Sequence, residues 1–251
     1  NISTAAAIIG SSAGAKIAKH GNRSVSSKSG SADVLEYLGV SIQTSPEETI
    51  QSIERRNMGF LYAPSYHSSM KHVAGARKDL AFRTVFNLLG PLSNPMKAKR
   101  QVIGVYSIEK AKLMARALEA FETEHVLFVS SRDGLDELSI TSPTSVIELK
   151  GGKTYEYTVE PGDVGLPFGR LSDIQVATLE ESGRLIVDIL KKRAPDSAVH
   201  IAAFNAGAAL YVAEQAPDLK EGVALALEAV ASGEALDQLE RLKQKEEELY
   251  A

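Results

Sequence analysis

The sequence predicts an α/β fold: a large domain with a central, mainly parallel sheet flanked by helices. From residue 101 onward, strand and helix patterns alternate across short connections: strand 101–106, helix 108–121, strand 125–130. That spacing implies parallel strands joined by right-handed crossovers. Near the start, a polar, glycine-punctuated run sits between a short strand at 16–19 and an amphipathic segment at 32–38, the layout of a strand-loop-helix unit. The last third of the chain carries helical periodicity and capping signals.

Composition bounds the class. The chain has 251 residues with 44% hydrophobic content, enough for a sizeable core. A net charge of −4 with no long basic tract argues against nonspecific nucleic-acid binding. The chain contains no cysteine, which excludes disulfides, thiolate metal sites and a cysteine nucleophile. No apolar run approaches the roughly 18 residues of a membrane span, and no signal-peptide pattern opens the chain, so a cytoplasmic protein is expected. The first residues, Asn1-Ile2-Ser3-Thr4, already read as a helix entrance without an initiator Met, as expected of a piece of something longer.

In chain order, Ser3 or Thr4 can cap an alanine-rich helix ending near Ala13. Ser31 is expected to cap the helix after the polar run, with Gly39 closing it. Ser45, Pro46 and Glu48 form a capping box for a helix running to Met58 and stopped by Gly59. A strand at 60–63, an amphipathic stretch at 66–80 and an apolar segment at 85–92 broken by Gly90-Pro91 follow. Beyond the alternating region, 144–149 and 154–159 read as a hairpin joined across Gly151-Gly152. Thr178 and Glu181 make a second capping box, Pro195 is expected to end that helix, and 198–213 is a small-residue helix. Residues 237–250 read as a solvated terminal helix.

Two loops carry chemistry. The run Lys19 to Ser31 offers three cationic side chains, five serine hydroxyls and two glycines, so that side chains, N–H groups and the next helix's positive end can converge on an oxyanion. Phosphate or pyrophosphate is the expected guest; the alternative is a solvated linker, which its position inside a strand-loop-helix unit disfavours. The second loop, 130–137, leaves the carboxyl end of a strand, where open α/β sheets bind ligands. Its adjacent Asp136 and Glu137 suit Mg²⁺ shared with phosphate oxygens, or else simply form a polar loop with one carboxylate as an N-cap. His67, Lys71 and Arg77 could face a common region from a helix, an arginine there suiting a carboxylate, although on the residues alone a solvated helix face is the favoured reading. No H-E-x-x-H motif, nucleophile elbow or Walker loop is present.

Six motifs in order then identify a family. Asn1-Ile2-Ser3-Thr4, Lys19-His20-Gly21-Asn22-Arg23, Lys28-Ser29-Gly30-Ser31-Ala32-Asp33-Val34-Leu35-Glu36, Met70-Lys71-His72-Val73 with Arg77, Phe86-Asn87-Leu88-Leu89-Gly90-Pro91-Leu92-Ser93-Asn94-Pro95, and Gly134-Leu135-Asp136-Glu137 together resemble anthranilate phosphoribosyltransferase of tryptophan biosynthesis. The resemblance spans the whole chain. It implies a nucleoside phosphorylase/phosphoribosyltransferase-like, class III-type fold with the remnant of a small helical domain. Residues 1–251 would form the glycosyltransferase α/β domain, and about 66–92 would pack on N-terminal helices that, with the family's Gly-Thr-Gly-Gly-Asp loop, would precede Asn1.

The resemblance also implies roles. Phosphoribosyl pyrophosphate would contact Asn1, Ile2, Ser3 and Thr4, then Lys19, His20, Gly21, Asn22, Arg23, Ser24, Val25, Ser26 and Ser27, with Ser31. Asn22 and Arg77 would bind anthranilate, and Ser3, Asp136 and Glu137 would hold Mg²⁺. No catalytic general base is expected, because an aryl amine is already neutral at pH 7. The parent enzyme is expected to be a homodimer that binds neither nucleic acid nor membrane. Two alternatives stand beside it: a pyrimidine-nucleoside phosphorylase, whose motif lacks Lys-His-Gly-Asn-Arg, and a noncatalytic nucleic-acid-binding paralogue, which the acidic balance disfavours.

Overall fold

The computed structural model describes residues 1–24, 29–67, 89–90 and 92–244. The chain opens with α1 (Ile2–Ser12), whose small side chains are buried from Thr4 to Ser11. Neither Ser3 nor Thr4 caps it: Asn1 stands at the N-cap, and both candidates lie inside the first turn. Next come β1 (Ile17–Gly21) and α2 (Ser31–Tyr37). Ser31 is the first helical residue rather than the cap, which is Gly30; Asp33 accepts the Gly30 N–H at 2.9 Å. The Asp33 carboxylate thus supplies the returning half of a capping box, accepting the N–H of the cap residue itself, while glycine has no side chain to accept an N–H of the first turn.

The capping box on α3 (Pro46–Arg56) forms as read, with the Glu48 N–H donating to Ser45 Oγ at 3.1 Å and the Ser45 N–H to Glu48 Oε2 at 2.6 Å. The helix stops short of the expected Met58. Asn57 takes the left-handed conformation at φ 58°, which asparagine tolerates, and releases Met58 to begin β2 (Met58–Tyr62) in register with Ile17. A short α4 (Ala63–Tyr66) follows. Most of the 66–92 segment expected to meet an N-terminal domain lies outside the described residues.

Strand β3 (Arg100–Gly104), helix α5 (Ile108–Leu118) and strand β4 (His125–Ser131) form the expected parallel crossover. The hairpin β5 (Thr144–Lys150) and β6 (Lys153–Val159) adds antiparallel to β4. Gly151 and Gly152 turn it with φ of 57° and 74°, the left-handed pair a two-residue hairpin needs. Among the described residues β1 and β2 make one parallel pair, and β3-β4-β5-β6 make a mixed sheet of four.

Helices α6 (Leu179–Leu190), α7 (Asp196–Val212), α8 (Leu219–Ser232) and α9 (Glu234–Lys243) complete the fold. Pro195 does not end α6, which stops at Leu190; its fixed φ of −55° instead opens α7. Alanine-rich α7 packs between α1 and α8 on one side and the β3–β4 face on the other, while α5 covers the opposite sheet face. No helix among the described residues is long and apolar enough to cross a membrane.

One buried polar knot ties the sheet end farthest from the loops. His125 Nε2 lies 2.7 Å from Glu148 Oε1, which also accepts Tyr211 OH at 2.8 Å, and Tyr157 OH donates to Glu148 Oε2 at 3.0 Å. Glu148→Ala strands three polar partners, so a loss of about 3 kcal/mol is expected in urea unfolding. Tyr211→Phe removes one donor and should cost about 1 kcal/mol. Equal losses for the two variants would contradict the hub role of Glu148.

Candidate active site

The site forms where the N-terminus of α1, the carboxyl end of β1, the start of α2 and the loop after β4 meet. Parallel strands leave their carboxyl ends open for ligands, and both chemistry-bearing loops emerge there. Lys19, in the middle of β1, donates from Nζ to Ser3 Oγ at 3.1 Å, joining two motifs sixteen residues apart. Desolvation lowers the Lys19 ammonium to about 8, against a pull upward from Glu137. Glu137 is moved the other way. Burial first, then the adjacent Asp136 carboxylate and a hydrogen bond with it, raises Glu137 to about 8.

The polar loop is held at its neck. The Asp33 carboxylate accepts the Ser24 N–H and the Gly30 N–H, each at 2.9 Å, and Arg23 Nη1 at 3.0 Å. Arg23 also pairs with Glu36 at 2.8 and 3.1 Å, so its charge is already matched within the protein. Asn22 accepts the Arg23 N–H at 2.7 Å through its side chain and the Ala32 N–H at 3.2 Å through its carbonyl. A Cβ on Gly21 would stand 2.1 Å from Ser31 Oγ, so glycine there lets the start of α2 close onto β1. Asn1 Nδ2 donates to Ser29 Oγ and Ser182 Oγ, each at 3.0 Å, linking α1 to the loop and to α6. Thr4 is buried and its hydroxyl has no hydrogen-bond partner among the described residues, whereas Ile2 is half-buried. Val25, Ser26, Ser27 and Arg77 lie outside the described residues.

Sequence reading missed one pair. His20 Nε2 and His67 Nε2 are 3.2 Å apart with their rings edge to face. Burial, then His67 and Lys19, lowers His20 to about 4, so its ring is uncharged at neutral pH. Helical spacing groups His67 with Lys71 and Arg77; in the structure α4 ends at Tyr66, and His67 turns back to β1. Nothing in the spacing of two histidines 47 residues apart signals this.

The donors fit Mg²⁺. Two adjacent carboxylates, one of which burial and its neighbour's charge keep protonated into the neutral range despite the pull of Lys19, form a set that a divalent cation would satisfy. Among the described residues no group of three or more His, Cys, Asp or Glu side chains gathers into a metal cage. Mg²⁺ ordinarily takes one or two carboxylates and completes its shell with phosphate oxygens and water, as this pair beside an anion loop would require.

With a polar loop after β1 and an acidic pair after β4 on an α/β framework, residues 1–236 match the glycosyl transferase family, a/b domain. Over all 251 residues the chain is 95% identical to anthranilate phosphoribosyltransferase of Bacillus licheniformis, covering 74% of that protein. The crystal structure of the Thermus thermophilus enzyme of that name superposes with a TM-score of 0.89 at 43% identity, over 97% of this chain and 72% of the other. The Saccharomyces cerevisiae enzyme in complex with PRPP and Mg superposes at 0.84 with 30% identity, over 96% of this chain and 68% of that one; it has also been solved with 4-fluoroanthranilate. The chain belongs to the anthranilate phosphoribosyltransferase family.

Proposed function

We propose that the chain transfers the phosphoribosyl group of phosphoribosyl pyrophosphate to the amine of anthranilate, giving N-(5-phosphoribosyl)anthranilate and pyrophosphate. The observation that carries this reading is the meeting of Lys19 and Ser3 with the Asp136–Glu137 pair beside the polar loop.

The anthranilate nitrogen lone pair attacks ribose C1, the C1–O bond to pyrophosphate breaks, and configuration inverts. No base is needed before attack; the proton that the nitrogen sheds afterward passes to water or to the departing pyrophosphate. The barrier lies in C–O cleavage, which develops positive charge on ribose and negative charge on the leaving group. Lys19 and the first N–H groups of α1 would meet the negative charge, the Ser24 and Gly30 N–H groups of the loop neck being already taken by Asp33. Asp136, Glu137 and Ser3 would hold Mg²⁺, which when bound neutralises pyrophosphate charge. Asn22 and Arg77 would hold anthranilate in line, Arg77 through its carboxylate. The phosphoribosyl pyrophosphate contacts proposed are those of residues 1–4, 19–27 and Ser31. A homodimer is proposed for the protein at the full length of its relatives, to be read by light scattering.

The test is Mg²⁺-dependent loss of anthranilate fluorescence on adding phosphoribosyl pyrophosphate, run on the chain and on a version extended to its relatives' full length. No loss with a folded full-length protein would reject the assignment. Arg77→Ala should raise the KM for anthranilate by about tenfold to a hundredfold while sparing that for phosphoribosyl pyrophosphate. Equal losses for both substrates would remove Arg77 from the anthranilate site.

A further inference from the structure

We propose that Asn205 and Asp133 are positioning residues that hold the Asp136–Glu137 pair in register for a divalent cation; the inference rests on the cation role proposed above for that pair. The pair lies on a loop whose backbone is fixed on both sides. After it, Asn205 of α7 clamps Leu138 at two points: Oδ1 accepts the Leu138 N–H at 3.0 Å, and Nδ2 donates to the Leu138 carbonyl at 2.9 Å. Nδ2 also donates to the Ile201 carbonyl at 2.9 Å, so the amide is anchored in its own helix. Before the pair, Asp133 accepts the Leu135 N–H at 3.2 Å and the hydroxyls of Ser139 and Thr141, drawing the two arms of the loop together. Beneath it, the Asp136 carbonyl rests on Gly104, where a Cβ would stand 1.7 Å away.

The chemistry explains why such a frame is needed. Two adjacent carboxylates repel and, on a free loop, would separate until solvent screened them. Here Leu138 and Ile140 are buried, Glu137 is half-buried and Asp136 is exposed, so the frame anchors the backbone while the pair spans the boundary between protein and solvent. A buried two-point amide clamp one residue beyond Glu137 limits the pair to side-chain rotation, the preorganisation that a cation shared with a substrate phosphate demands. The helix that bears Asn205, α7, packs against α1, the helix that carries Ser3, so one element supports both parts of the proposed cation site.

The probe is Mn²⁺ with inorganic pyrophosphate, its binding to the full-length protein followed by electron paramagnetic resonance. Asn205→Ala and Asp133→Asn should each weaken Mn²⁺ binding about tenfold and raise the Mg²⁺ concentration for half-maximal turnover by a similar factor, leaving the KM for anthranilate unchanged. A merely structural role would lower the folded fraction without moving either metal midpoint. If Asn205→Ala fails to fold, as loss of near-ultraviolet circular dichroism would show, Asp133→Asn decides. Wild-type Mn²⁺ affinity in a folded variant overturns the inference. Glu137→Gln in the same assay separates the two levels: if it abolishes Mn²⁺ binding while the positioning variants do not weaken it, only the positioning inference fails. If Glu137→Gln binds Mn²⁺ like wild type, the cation reading fails and takes the inference with it.

Discussion

Replacing Asp136 and Glu137 together by Asn and Gln is expected to lower Mg²⁺-dependent turnover by about a thousandfold while raising the thermal stability of the metal-free protein. The two effects have one cause. Folding confines two carboxylates side by side, and burial and mutual repulsion lift Glu137 from its ordinary 4.5 to about 8. Between those values the native state binds a proton that the unfolded chain has released, so stability falls as pH rises across the window. The variant lacks that titration. Its advantage should be largest at pH 8 and above and should vanish toward pH 4.5. For a half-buried carboxyl, discounted for solvent screening, the gain is on the order of 2 kcal/mol, about 4–8 °C in Tm for a protein of this size. Differential scanning calorimetry without metal at pH 5 and pH 8.5 reads it. A variant that is no more stable than wild type at pH 8.5 would refute the strained acid pair, and unchanged turnover would remove both residues from the metal site.

What the sequence made legible follows a physical division. Local signals were reliable: the Ser45–Glu48 box and the Gly151-Gly152 hairpin form as read, because each depends on residues within one turn. Thr178 caps α6 as expected, accepting the Glu181 N–H at 3.1 Å, though the returning carboxylate reaches the Ala177 N–H rather than that of Thr178. Boundaries failed where tertiary demands intervened. Asn57 ends α3 before Gly59 because Met58 is required in the sheet, and Ser31 gives up the cap because Asp33 closes the loop neck. The site was legible in parts but not as an assembly. Lys19, Ser3, Asp136 and Glu137 come from three segments, and only the family resemblance related them, since no spacing links residue 19 to residue 137. Asn205 left one trace, an amide within the small-residue helix, but Gly104 and Asp133 are recognisable only from what touches them.

Lys19→Met should reduce kcat/KM for phosphoribosyl pyrophosphate by about a hundredfold, the worth of one charge-assisted contact of about 2–3 kcal/mol. The pH profile distinguishes this from general damage. Lys19 is a base whose desolvation lowers it from 10.5 to about 8. In the free enzyme it is therefore charged below pH 8 and loses its charge as pH rises through that value, so wild-type kcat/KM should decline on the alkaline side. Lys19→Met has no ammonium to lose and should be flat from pH 7 to 9. Lys19→Arg keeps a charge that does not titrate in this range, so it should recover part of the activity and also stay flat, although its planar fork cannot reproduce the single point contact to Ser3. An alkaline decline of the same midpoint in Lys19→Met would assign the titration to another group. A loss of kcat alone, with KM for phosphoribosyl pyrophosphate intact, would confine the ammonium to the departing pyrophosphate in the transition state, because a contact made equally in the ground state would have raised KM.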